Sequence, residues 1–96
     1  MSRQYGLPCA DDLARGIVAA ARVLGVHPEL AVTAKSGTSR KAATAAAIAV
    51  ADIYGISERR AGLMLGLRNT RRRCSSARGQ RALDRAIDAA RRAIQW

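Results

Sequence analysis

The sequence predicts an all-α domain, a compact bundle of five or six helices containing a helix-turn-helix. Three observations predict it. No segment alternates apolar and polar residues with period two. Only two prolines interrupt the chain. Apolar residues recur at three- and four-residue spacings, and the runs stop at glycines.

Residues 1–10 read as a loose leader and 11–96 as a single domain, long enough for a modest core. Asp11 or Asp12 is expected to cap a first helix running to about Leu24, with Leu13, Ile17, Val18, Ala21 and Leu24 on one face and Gly25 as its stop. His27-Pro28-Glu29-Leu30 reads as a short helical turn with Pro28 in its first turn and His27 on the surface. Thr33 to Thr38 is a polar loop. An Ala-rich helix is expected from Ser39 to about Tyr54, with Ala43, Ala47, Ile48, Ala51 and Tyr54 inward. Gly55 ends it, and Ser57 caps a helix over Glu58–Leu65. Gly66-Leu67 makes a turn, and a further helix is expected from Asn69 or Thr70. Gly79 is read as its break, before an amphipathic helix over Gln80–Ile94 with Leu83, Ile87, Ala90 and Ile94 inward.

Charge points to the partner. The net charge is +10, and arginine supplies fifteen of the seventeen cations. Such a charge opposes compaction unless a polyanion offsets it, which makes nucleic acid the expected partner, and the helix-turn-helix pattern makes it double-stranded DNA. Guanidinium forks pair bidentately with phosphate and guanine, where lysine acts as a point charge. A GC-rich genome accounts for part of the arginine content but not for its clustering. Eight arginines and no carboxylate fall between Arg59 and Arg81.

Other classes are disfavoured. Cys9 and Cys74 form no CxxC pair, and with His27 alone beside them they fall short of the four ligands zinc requires. No metal, cofactor or small-molecule substrate is expected. No Ser–His–Asp set, Cys–His couple or carboxylate pair within one turn suggests an enzyme. The apolar run 42–51 is too short for a bilayer, which takes about 20 residues, and the N-terminus carries no signal-peptide run. A cytoplasmic protein associated with the nucleoid is expected, without membrane contact.

The candidate site falls in two stretches. The first is Arg59, Arg60 and then Arg68, Asn69, Thr70, Arg71, Arg72, Arg73, Ser75 and Ser76. A helix beginning at Asn69 or Thr70 would present its first turn to base edges in the major groove. Asn69 and Thr70 are alternatively caps, and Arg71 and Arg72 alternatively phosphate contacts, which outnumber base contacts in general. Arg73 is placed nearer the core side, against the DNA backbone. Ser75 and Ser76 are phosphate donors or plain surface. The second stretch is Lys35, Ser36, Thr38, Ser39, Arg40 and Lys41, a phosphate clamp at a helix start or a solvated loop. Arg81, Arg85, Arg91 and Arg92 alternate with Asp84 and Asp88, which reads as a solvated surface with complementary pairs Arg81–Asp84 and Asp88–Arg92, or as a partner face.

The run Arg60-Ala61-Gly62-Leu63-Met64-Leu65-Gly66-Leu67-Arg68-Asn69-Thr70-Arg71-Arg72-Arg73 resembles the signature of the C-terminal DNA-binding domain of the bacterial replication initiator DnaA, roughly Glu-Ile-Gly-x-x-Phe-Gly-Gly-Arg-Asp-His-Thr-Thr-Val. Gly62, Gly66 and Arg68 match, Leu65 replaces Phe, and Asn69 replaces Asp. Ile17 to Leu30 is similar to the family's first helix and turn, and Lys35, Arg40 and Lys41 fall in its basic loop, so the resemblance covers about residues 12–78. It implies the helix-turn-helix at about 58–78 and a minor-groove role for Arg68, whose other readings are a phosphate contact or a helix C-cap. His-Thr-Thr-Val becomes Thr70-Arg71-Arg72-Arg73, so the base-contacting residues are mostly changed. No GxxxxGK[ST] loop is present. The chain is therefore more similar to small DnaA-like transcription factors, such as activators of gene transfer agents (prophage-derived particles) in alphaproteobacteria. That implies a sequence-specific regulator, with a second regulatory protein or RNA polymerase as a further partner. The alternatives are a nonspecific nucleoid-associated or RNA-binding protein, or an adaptor that binds an acidic protein.

Overall fold

The structure, a computed structural model, describes residues 10–33, 38–67, 70, 74 and 76–95, with the backbone alone for Ala10, Val32 and Ser39. Five helices are described: α1 (Ala10–Leu24), α2 (Pro28–Thr33), α3 (Thr38–Tyr54), α4 (Glu58–Met64) and α5 (Ala77–Gln95). No strand occurs among the described residues.

Three of these helices end in the same way. Gly25, Gly55 and Gly66 take φ of 71°, 68° and 75°, in the left-handed region that a side chain disfavours. Each is followed by an apolar residue whose N–H returns to a carbonyl in the last turn: Val26 to Ala21 at 3.0 Å, Ile56 to Ala51 at 3.2 Å and Leu67 to Gly62 at 2.8 Å. The pattern Gly-Val, Gly-Ile, Gly-Leu is thus a stop signal in which the last carbonyls are satisfied and the chain turns back on the core. At the other end of α4, Ser57 accepts from the Arg60 N–H at 3.0 Å, as expected of a cap.

Helix α3 is the axis of the molecule. Ala42 to Ala51 are all buried, on every side of the helix rather than on one stripe, with α1, α2, α4 and α5 packed around it. The expected one-sided burial is therefore corrected. A run of alanines with few large side chains shows little periodicity because it has no outer face. Thr44, buried within it, returns its hydroxyl to the Arg40 carbonyl at 3.2 Å.

Paired contacts fix the helix directions. Asp12 near the start of α1 accepts from the Tyr54 hydroxyl at the end of α3, and also pairs with Arg15. Further along α1, a Cβ placed on Gly16 would lie 3.5 Å from the Ala46 Cβ and 2.9 Å from Ile94 Cδ1. So α1 runs antiparallel to both α3 and α5, and Gly16 permits the close approach. Conversely, Lys41 sits beside Gly79 near the two helix starts, and Asp52 meets Arg91 at 2.6 Å near the two helix ends. Helices α3 and α5 are parallel, and their N-termini share one end of the bundle.

Several boundaries and faces differ from expectation. Asp11 and Asp12 lie in the first turn of α1 rather than before it. Val18 is 39% exposed, while Ala20 takes an inward place beside Ile17 and Ala21. The three buried positions that follow 3.6-residue spacing leave Val18 on the outer face. Helix α5 does not break at Gly79 and begins instead at Ala77. Its inner residues Leu83, Ile87, Ala90 and Ile94 are buried as expected, together with Ala86. No described helix is long and apolar enough to cross a membrane.

Candidate nucleic-acid interface

The start of α5 is built by a short set of hydrogen bonds. Ser76 is its cap: the Oγ accepts from the Gly79 N–H at 3.0 Å, and the carbonyl accepts from the Gln80 N–H at 3.0 Å. Gln80 then reaches back, its Oε1 accepting from the Cys74 N–H at 2.7 Å, while its Nε2 donates to Asp84 at 3.0 Å. The segment entering α5 is thereby tied to the second turn of the helix. Ser76, read from the sequence as a phosphate donor or plain surface, is thus the helix cap, and Gly79 does not break the helix. Glycine is tolerated there because its N–H is taken by Ser76 and its missing side chain leaves room for Lys41.

That room decides the shape of the site. A Cβ on residue 79 would lie 2.9 Å from Ser76 Oγ, 3.2 Å from Lys41 Nζ and 3.4 Å from Cys74 Cβ. The Lys41 ammonium, from the first turns of α3, therefore lies over the first turn of α5. Two basic stretches far apart in sequence, 35–41 and 68–78, lead into helix starts that touch.

Charge placement separates these two helices from the others. Helices α1, α2 and α4 carry carboxylates in the first turn: Asp11 and Asp12, Glu29, and Glu58. These offset the positive end of the helix dipole. Helices α3 and α5 carry none, and hold Arg40, Lys41 and Arg78 near their starts instead. Lys41 and Arg78 thus add positive charge beside two helix starts whose first turns carry no carboxylate. The α1 start and the α3 end, with Asp11, Asp12 and Asp52, lie at the opposite end.

Compared with protein-family models, curated proteins and solved structures, the chain matches none.

The predicted site residues divide as follows. Thr38 is exposed, and Arg40 and Lys41 are half-buried at the start of α3, while the Ser39 side chain, Lys35 and Ser36 lie outside the described residues. Arg68, Asn69, Arg71, Arg72, Arg73 and Ser75 lie outside them too. Thr70 is not in a helix and rests on α4: a Cβ on Gly62 would lie 2.7 Å from its methyl group and 3.8 Å from its hydroxyl. Cys74 is also non-helical and is a free thiol, half-buried. Of the helix expected to start at Asn69 or Thr70, Thr70 and Cys74 are not helical and the residues between them lie outside the described ones; the next described helix after α4 starts at Ala77, after the Ser76 cap. Arg59 and Arg60 are exposed on α4, which packs on α3 and makes no contact with α5.

Sequence reasoning missed Gln80, which organises the approach to α5, and it read Arg81 and Arg85 as a solvated surface or a partner face. The signal for Gln80 was its place four residues after Ser76, in the turn a cap would create. Among the described residues no group of His, Cys, Asp or Glu could hold a metal ion.

Proposed function

We propose that this protein binds double-stranded DNA through the end of the bundle where α3 and α5 begin, and acts as a transcriptional regulator. The observation that carries the reading is the meeting of Lys41 with the first turn of α5 at Gly79, which brings the starts of α3 and α5 together. Net charge of +10, carried mainly by arginine, supports a polyanion as the partner. The regulator role, with target genes like those of prophage-derived particles, rests on the resemblance of residues 60–73 to the DnaA signature. In this reading the arginine-rich stretch 68–73 supplies contacts to the DNA as the chain passes from α4 to α5. Lys35 and Lys41 hold phosphates from the α3 side.

Duplex binding measured against salt tests this. Lys35→Ala with Lys41→Ala should weaken a random-sequence duplex and a selected duplex alike. The slope of log K against log salt should fall by about 0.9 for each phosphate that is no longer neutralised. An unchanged slope removes the α3 start from the interface. Selection of bound duplexes from a random pool, followed by competition at fixed salt, tests sequence preference. A pool that yields no enriched sequence leaves a nonspecific DNA-binding protein.

A further inference from the structure

The solvent face of α5 carries arginines at 78, 81, 85 and 92, which fall within about 60° of one another around a helix of 3.6 residues per turn. They do not have equal surroundings. Arg92 is paired with Asp88 at 2.9 Å, and Arg91, on the flank, with Asp52 at 2.6 Å. Asp84, the carboxylate that could hold Arg81, is taken by Gln80 instead. Arg78, Arg81 and Arg85 are exposed and have no carboxylate partner among the described residues. The C-terminal half of the helix is thus charge-compensated, and the N-terminal half is not.

This division has no structural reason. Unpaired cations near a helix N-terminus oppose its dipole, and three on one face repel each other. We infer that Arg78, Arg81 and Arg85 form a rail that follows the phosphates of one DNA strand. The helix then lies along the duplex backbone rather than pointing end-on into a groove. The proposal rests on the duplex-binding reading above and adds the orientation of the DNA. The rail spans about 10 Å of helix axis at 1.5 Å per residue. It starts at Arg78, in the same turn as the Lys41 contact, so it continues that site along the side of the bundle.

The test is fluorescence anisotropy of the full chain with a labelled random-sequence duplex of twenty base pairs, titrated at several salt concentrations. Wild type, Arg81→Gln/Arg85→Gln, Arg81→Lys/Arg85→Lys and Arg92→Gln are compared, with circular dichroism confirming equal helix content. The Gln pair should lower the salt slope by about two and weaken binding at least tenfold at low salt, as expected when two phosphates regain their counterions. The Lys pair should retain the wild-type slope, and Arg92→Gln should leave slope and affinity unchanged. A Gln pair with the wild-type slope overturns the rail while leaving duplex binding in place. An Arg92→Gln effect equal to that of the Gln pair overturns it too, because the charge of the whole helix would then count rather than the uncompensated face. A wild-type chain that does not bind duplex at low salt overturns both the rail and the reading on which it rests.

Discussion

Lys41 occupies the space that a side chain at residue 79 would fill, its Nζ lying 3.2 Å from the position of a Cβ on Gly79. A glycine in the first turn of a helix is ordinarily a weakness, and here it is the seat for a cation from a neighbouring helix. Where that cation sits is therefore adjustable by a single methyl group.

Gly79→Ala separates this role from stability. Alanine improves helix propensity by up to about 1 kcal/mol. Its Cβ would fall 2.9 Å from Ser76 Oγ and disturb a cap worth about 1 kcal/mol. The two effects oppose each other, so the midpoint of thermal unfolding should change little. Lys41 is displaced, because its ammonium is the end of a long flexible chain, and duplex affinity should fall. A variant with wild-type affinity for DNA would show that the position of Lys41 over α5 does not matter for binding.

Gly62→Ala should destabilise by about 1–3 kcal/mol, as overpacking does, because the new Cβ would fall 2.7 Å from the Thr70 methyl. Thr70→Ser removes that methyl and leaves the hydroxyl at a comfortable distance. In the Thr70→Ser background the same alanine should be neutral or stabilising. Denaturant unfolding of the four chains gives the coupling directly. Additive effects would mean that Thr70 does not rest on α4.

Tyr54→Phe deletes a hydroxyl that donates to the buried Asp12 carboxylate. Arg15 remains on the carboxylate, but one hydrogen bond to a buried charge disappears. Denaturant unfolding should report a destabilisation of about 1–3 kcal/mol. Asp12→Asn, which keeps an acceptor for Tyr54, should cost less than Asp12→Ala. Equal costs for the two Asp12 variants would argue that the Tyr54 contact contributes little.

Ala46→Leu addresses the α1–α3 contact. Ala46 is fully buried and lies 3.5 Å from the Cβ position of Gly16. Three added heavy atoms have no space, and the expected destabilisation is about 3 kcal/mol or more. Leu63, 60% exposed on α4, gives the surface comparison: Leu63→Ala should cost under about 0.5 kcal/mol, as surface changes usually do. A well-folded Ala46→Leu chain with wild-type stability would place a gap between α1 and α3.

The helix ends were the most legible part of the sequence, because each is decided by neighbours in the chain. Gly25-Val26, Gly55-Ile56 and Gly66-Leu67 carry their own hydrogen bonds, and Ser57 caps α4 within three residues. What was not legible depends on partners distant in sequence. Nothing near Asp12 announces Tyr54, forty-two residues away. Nothing in Ala42 to Ala51 distinguishes a helix with one inner face from a helix enclosed on all sides. At Gly79 the sequence offered a glycine stop, and the Ser76 cap three residues earlier went unread. The cap satisfies the Gly79 N–H locally, and the space beside Gly79 is taken by Lys41, which is remote in sequence. The basic residues of the site were visible as a cluster. The meeting of Lys41 with the start of α5 required the parallel course of α3 and α5.

An axis made of alanine has a thermodynamic signature as well as a geometric one. Alanine loses no rotamer freedom when it is buried, so α3 enters the core at low side-chain entropy cost. It also brings little hydrocarbon with it, and the heat capacity of unfolding follows the hydrocarbon exposed. Calorimetry should therefore find a heat-capacity change per residue below the usual 12–15 cal/mol/K or so. The stability curve would be correspondingly shallow, with cold having less hold on this fold than on one centred on leucine and phenylalanine.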